Sequence, residues 1–377
     1  MFPAKVVGII GNQGKMARNI YEPLFREAGL EVIGSDISDP DGLSNAEVIA
    51  KSDVVIFSIL PLADVAPTMR RLVVHACPNT LWLHGSSIQQ VRDFPIGNVL
   101  EWQTLKVFRV DTGFVHFMIA PNVRSLHGQS IVFGFPQELL NPRWKTWMVN
   151  LLEAKKAKLA ERTIAEHDAL TKGSQLLPMI LAVAVGMVWQ RSNIDVTQML
   201  KVAGAPAKLQ AFGAIRSLGQ QDVVSEIITS HPDGPKLVDT LADVFADLSQ
   251  MIKNGNTAQI AAEMKRSREM IEKETLDKVL AISDWLVRVL GDLNGGAVGF
   301  EFSEPENIVG LLAQVLGCFD KHEVDKTTTM AQTILPSGVA QFFIGVTPDL
   351  DDPRVKAANA EVLSMPGANT LEDRFTI

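Results

Sequence analysis

Two groups of residues in this chain have types and spacings that could do chemistry. The first is the stretch VVGIIGNQGKMARNIYEPLF, in which Gly11 and Gly14 separate a strand-like apolar run from a helical pattern. Glycines at such a turn let backbone N–H groups approach a pyrophosphate at a helix N-terminus, so Gly11, Asn12, Gln13, Gly14, Lys15 and Met16 form a candidate dinucleotide cradle. The loop is one residue longer than GxGxxG and ends in Ala17. The next strand-like run ends in Asp36, about 20 residues on, where a carboxylate accepts hydrogen bonds from the ribose hydroxyls of NAD and repels the 2′-phosphate of NADP. Asp36 could equally form a turn in SDISDPDG. Ser58, at the end of DVVIFSIL, completes the cofactor set. The second group centres on His116, set between Val115 and Phe117 where an apolar run should end. Alone, such a histidine reads as a core residue. In a cleft its ordinary pKa, near physiological pH, would suit it to accept a proton from a hydroxyl.

The elements that must position these residues follow from hydrophobic patterning. KVVGII, LEVIGSD, DVVIFSIL and TLWLHG alternate with helical patterns, which predicts βαβ units and a parallel sheet. From about residue 156 strand-like runs give way to helical periodicities, and the apolar run LLPMILAVAVGMVW, too short to span a bilayer comfortably, is expected to be a buried helix. GDLNGG reads as a linker. Beyond it VGFEFSE, IVGLLAQVLGCFDKH, EVDKTTTMAQTI, VAQFFIGVTP and DPRVKAANAEVL read as strand, helix, strand, strand, helix, followed by an irregular tail from roughly residue 366.

The chain has 377 residues, 46% of them hydrophobic, and a formal charge of -8. That balance fits a large buried core and small-molecule partners, and argues against a nucleic-acid or anionic-membrane surface. The two cysteines, Cys77 and Cys318, have neither disulfide-framework nor metal spacing, and with a signal-free start they suggest a cytoplasmic protein without a metal.

Three further stretches line up with one family. FVHFMIAPNVRSLHGQSIV is similar to the HPMFGP…SLxxQ segment of prephenate/arogenate dehydrogenases, AERTIAEHDALTKGSQLLP resembles their EHD helix, and APAKLQAFGAIRSLGQQDVVSEII resembles their substrate-arginine helix. The resemblance runs over roughly residues 5 to 285. It implies a Rossmann-type dinucleotide-binding domain (1–155), an all-α dimerisation and substrate domain (156–292) and a homodimer. It also implies NAD-dependent oxidative decarboxylation of prephenate or arogenate, on the route to tyrosine. His116 would accept the hydrogen of the ring hydroxyl. Ser87, in LHGSSIQQV, would orient that histidine, the alternative being a helix N-cap. Arg216 would hold a substrate carboxylate bidentately, the alternative being a surface ion pair. Gln175 and His167 would complete the substrate site, although His167 could instead pin its helix.

The sequence departs from the pattern at Phe117, where the family has proline, at Gln89, where lysine is common, and at Met179, where many members carry a second histidine. These departures keep open another NAD(P)-linked hydroxyacid or imine-type oxidoreductase on the same scaffold, and a non-catalytic nucleotide sensor. Residues 297–365 resemble an ACT domain, an α+β βαββαβ fold, with Val309-Gly310 replacing Pro-Gly. That resemblance implies tyrosine or phenylalanine as an effector, the alternative being a module that only dimerises.

Overall fold

The computed structural model describes residues 4–90, 104–121, 123, 125–135, 138–293, 297–303, 308–334, 338–347 and 349–371. The linker glycines Gly295 and Gly296 and residues 304–307 lie outside the described residues. Two compact units result: Met1–Val183 with Ser217–Val244, and Ala184–Arg216 with Phe245–Ile377.

The first unit is built on a seven-stranded sheet. Its strands are β1 (Val6–Ile10), β2 (Glu31–Ser35), β3 (Val54–Phe57), β4 (Leu81–His84), β5 (Asp111–Phe117), β6 (Ser130–Gly134) and β7 (Lys158–Glu161), in the order β2-β1-β3-β4-β5-β6-β7. β1 to β5 pair in parallel, and β6 returns antiparallel to β5. Because side chains alternate across a strand, the parallel strands are apolar on both faces and bury two cores. Val7, Ile9, Val54, Ile56, Leu81, Leu83, Val115 and Phe117 enter one; Ile10, Val55, Phe57 and Trp82 enter the other. That alternation places His84 and His116 on the same sheet face as Trp82.

β7 corrects the expectation that strands cease near residue 156. Lys158–Glu161 extends the sheet by pairing in parallel with β6, and the helical region begins only at Ile164–Thr171. That helix is started by a capping box, in which Thr163 Oγ1 accepts from Glu166 N and the Glu166 carboxylate accepts from Thr163 N. A π-helical turn, Lys172–Leu176, joins it to the helix Leu177–Arg191. Contrary to expectation, that apolar helix is not buried within the chain. Only Ile180 and Ala182 are, while Val185, Met187 and Val188 are exposed. By length and composition the run Ile164–Arg191 could cross a bilayer, yet its first two turns carry Glu166, His167, Asp168 and Lys172, and two of these bond to the sheet and its loops.

The second unit contains the helices Thr257–Glu269 and Lys273–Leu293 and a four-stranded antiparallel sheet. Its strands β8 (Ala297–Phe302), β9 (Lys326–Ile334), β10 (Val339–Val346) and β11 (Ala368–Thr370) lie in the order β11-β8-β10-β9. With helices Leu311–Lys321 and Pro353–Leu363 the connection is β-α-β-β-α-β, closed over a core of Phe300, Phe302, Val315, Phe319 and Ile344. The expected irregular tail from 366 is partly a strand. Ala368–Thr370 pairs with β8, and Leu371 is buried, its Cβ facing Gly299. Gly310 starts the first helix with φ 90°, a left-handed conformation that explains why the glycine stays where the preceding proline does not.

Candidate functional site

β1 and β3 are neighbours whose crossovers leave in opposite directions, and the crevice beyond their carboxyl ends is where such sheets take ligands. Gly11 follows β1 there with φ 84°, and a Cβ on it would lie 2.3 Å from the Ser58 carbonyl at the end of β3. Both strands therefore close on a backbone that only glycine permits. Gly11 N and Asn12 N donate to Ser35 O, and Gly14 N donates to Gly11 O. Gly14 and Lys15 are exposed, while Met16 is partly buried and packs against the first core. Asp36 Oδ2 accepts from Gln13 N at 3.2 Å, and its Oδ1 accepts from Ser38 N at 2.9 Å and Ser38 Oγ at 2.7 Å. Partial burial works against ionisation of Asp36, but the Ser38 and Gln13 hydrogen bonds and the Arg18 charge outweigh it and hold the carboxyl below its usual range. The turn-forming role of Asp36 is thus present in the hydrogen bonds that it accepts from Ser38. The buried Oδ1 of Asn12 has no hydrogen-bond partner among the described residues, which fits a group that meets a ligand. These features fit a dinucleotide.

At the carboxyl edge of β5, on the side of the sheet that also ends β1, stands His116. Its Nδ1 lies 2.9 Å from His167 Nε2, and His167 Nδ1 lies 2.8 Å from Asp168 Oδ1. Gln175 Nε2 approaches His116 Nε2 at 3.3 Å. The π-helical turn that carries Gln175 supplies the irregularity that brings it there; such turns recur at functional sites. Phe114 seats its ring edge-on to His167 at 5.1 Å. Burial, then the neighbouring rings of His167 and His84, push His116 down to about 3, and burial likewise pushes His84 down to about 3. His116 is consequently a neutral imidazole, which accepts a hydrogen bond readily and does not retain a proton.

His167 is fully buried with both ring nitrogens engaged, so it has no free nitrogen for a substrate, and the substrate-binding role expected of it becomes that of a link behind His116. Ser87 is half-buried in the turn after β4. That turn is irregular through residue 90, so the helix-cap alternative finds no helix among the described residues. The ring nitrogens of His116 face His167 and Gln175. Gln89 is fully buried, its Nε2 donating to Ser86 O. Met179 packs against the second core and is thereby committed to packing. Arg216 belongs to the second unit, exposed in the last turn of the helix Ala205–Leu218.

Sequence reasoning passed over Asp168, His84 and Tyr21. Asp168 was visible only as the third letter of EHD. Tyr21, on the helix after the glycine loop, touches Phe117 edge-on at 5.3 Å and fills the space where a Cβ on Gly85 would fall. Through Asn19 Nδ2, which donates to Pro121 O, the same helix also reaches the loop after β5.

No family model and no curated protein matches the sequence. Among solved structures the chain resembles an arogenate dehydrogenase from Synechocystis, with a TM-score of 0.52 at 14% identity over 70% of this chain and 98% of that one. It also resembles a prephenate dehydrogenase from A. aeolicus solved with hydroxyphenyl propionate and NAD+, with a TM-score of 0.53 at 12% identity over 72% of this chain and 99% of that one. Over that share of its length, the chain has the fold of the prephenate and arogenate dehydrogenases.

Proposed function

We propose that this protein is an NAD-dependent dehydrogenase that oxidatively decarboxylates prephenate or arogenate. The observation that carries the reading is a neutral, buried His116 at the carboxyl edge of the sheet, backed by His167 and Asp168, in the unit that also holds the glycine cradle. NAD, when bound, supplies the hydride acceptor. The chain's own residues do the rest. His116 accepts a hydrogen bond from the ring 4-hydroxyl, which pushes electron density from that oxygen toward C4 and assists hydride departure. As the ring carboxylate leaves as CO2 the ring becomes aromatic, and the hydroxyl keeps its hydrogen in the product. The reaction therefore releases no net proton, and a histidine that polarises the O–H bond without retaining its proton suits it. Arg216 is assigned to a substrate carboxylate, since its planar fork offers two parallel hydrogen bonds. Gln175 and Ser87 are assigned to the substrate side of His116.

The apolar residues left exposed on the long helices, among them Val188, Val244, Phe245, Ile282 and Trp285, support a homodimer. The C-terminal βαββαβ unit is assigned to an amino-acid effector, tyrosine or phenylalanine. The test is a steady-state assay with prephenate and arogenate, each with NAD and NADP, following the absorbance of the reduced nicotinamide, with and without tyrosine. His116→Asn should keep NAD binding and lose most turnover. Purified, folded protein that reduces NAD with neither substrate would refute the assignment. Turnover only with other hydroxyacids would move the protein to a different reaction on the same scaffold, a reading that Met179, partly buried against the second core, favours.

A further inference from the structure

The Asp168 carboxylate joins two parts of the site that are far apart in sequence. Its Oδ1 accepts from His167 Nδ1 at 2.8 Å and from Gln89 N at 2.9 Å, and its Oδ2 accepts from Gln90 N at 2.8 Å. We propose that Asp168 is the positioning residue of this site, setting the tautomer of the His167–His116 pair while anchoring the turn that carries Ser87.

The number of hydrogens available sets the tautomers. Backbone N–H groups only donate, and an ionised carboxylate only accepts. With Gln89 N and Gln90 N each directed at one oxygen, the third close nitrogen, His167 Nδ1, is satisfied only if it too donates. With His167 neutral, the ring carries one N–H, and its Nε2 is then a bare lone pair. The 2.9 Å contact between His167 Nε2 and His116 Nδ1 needs one hydrogen, which must come from His116 Nδ1. His116, neutral in turn, is left with a bare Nε2. The far end of the chain agrees, because the group opposite that Nε2 is the Gln175 amide nitrogen, a donor, at 3.3 Å. A contact of that length is weak and leaves the lone pair open to a stronger donor such as a hydroxyl.

The same carboxylate holds the loop. Residues 85–90 are irregular, and the backbone N–H groups of the buried Gln89 and of Gln90 find their acceptor in Asp168. Asparagine could not serve both ends. It has one oxygen and an NH2 group, so at least one of the three N–H donors would face another donor. If the amide nitrogen turned toward His167, that ring would switch to Nε2–H, His116 would move its hydrogen to Nε2, and the acceptor would be lost. The wrong tautomer is how an aspartate-to-asparagine change disables the serine-protease triad.

The consequence for turnover rests on the dehydrogenase reading above; the tautomer does not. The test uses the full chain with 15N-labelled histidine and reads the ring nitrogens of His116 and His167 by NMR. The expected wild-type result is Nδ1–H with bare Nε2 on both rings. Asp168→Asn should shift both toward Nε2–H and lower kcat by the share a positioned acceptor supplies, on the order of 10²–10⁴-fold. NAD affinity should hold, and Asp168→Glu should recover part of the tautomer signal. A hydrogen on Nε2 of either ring in the wild type overturns the proposal, and so does an Asp168→Asn enzyme with unchanged kcat. If Asp168→Asn does not fold, the wild-type spectrum still decides. If the wild type reduces NAD with neither substrate, the functional reading fails while the spectrum judges the tautomer by itself.

Discussion

Burying His84 and His116 as neutral rings makes stability depend on pH in a way that can be worked out. Both are pushed down to about 3 in the folded chain, from an ordinary value of 6.5. A base whose folded pKa is depressed leaves the unfolded chain to take up protons first as pH falls. Its contribution is therefore complete above about pH 6.5 and is lost progressively as pH falls toward about 3. At about pH 5 the folded rings are still neutral, so the loss is set only by the unfolded value: about 1.5 pH units at 1.36 kcal/mol each, or about 2 kcal/mol per histidine and about 4 for the pair. The perturbation is His116→Gln, which removes one titrating ring. Urea unfolding, followed by tryptophan fluorescence at about pH 7.5 and about pH 5, should show the wild type losing about 2 kcal/mol more than the variant between the two conditions. Carboxylates that begin to protonate near the lower pH act on both proteins and cancel in that difference. Equal losses in the two proteins would mean that His116 takes up its proton in the folded state, and the neutral-acceptor reading would fall with it.

Gly11→Ala should cost at least about 1–2 kcal/mol from the left-handed backbone alone. Because its Cβ would lie 2.3 Å from Ser58 O, NAD binding measured by calorimetry should fall with stability. Asp36→Ala removes a carboxylate expected to hold the ribose, and the preference for NAD over NADP should drop about 10- to 100-fold, the worth of a hydrogen bond to a charged group. Thr163→Ala opens the capping box of the helix that carries His167 and Asp168, and should lower the unfolding free energy by about 1 kcal/mol. Phe117→Ala should lose about 3–5 kcal/mol as a buried ring is deleted, yet the 15N signature of His116 should stay that of the wild type, because His167 sets it.

The parallel sheet was legible because its first strands are short apolar runs, β-branched in β1 to β3, punctuated by glycine and acidic turns, a signal local to each strand. β7 was not, since KLAE has no apolar alternation and becomes a strand only by pairing with β6. β11 escaped notice for the same reason: a three-residue strand is defined by its partner β8. The helix Leu177–Arg191 misled in the opposite direction. Its apolar run was read as burial within the chain, whereas in that helix only Ile180 and Ala182 are buried and Val185, Met187 and Val188 are exposed. In the site, the positions of His116 and the glycine loop followed from order along the sequence. The role of Asp168 did not, because its partners Gln89 and Gln90 lie 79 and 78 residues away and are backbone groups, which a motif does not encode.

Phe117 shows what replaces a proline after the site histidine. A proline would fix φ and so aim the ring from the backbone side, at the cost of an N–H. Here the aim is supplied from three other directions. β5 and β6 pair through His116↔Val132 and Phe117↔Ile131, which fixes the strand to its last residue. Phe117, facing the opposite side of the sheet from His116, is clamped edge-on by Tyr21, so the backbone is held from beneath. The ring itself is held at Nδ1 by His167, which Asp168 holds in turn. The strand fixes where the histidine stands, while the His167–Asp168 pair fixes which nitrogen is bare. A chain with that pair needs no restraint on φ at residue 117, and the departure from proline is compatible with the same chemistry.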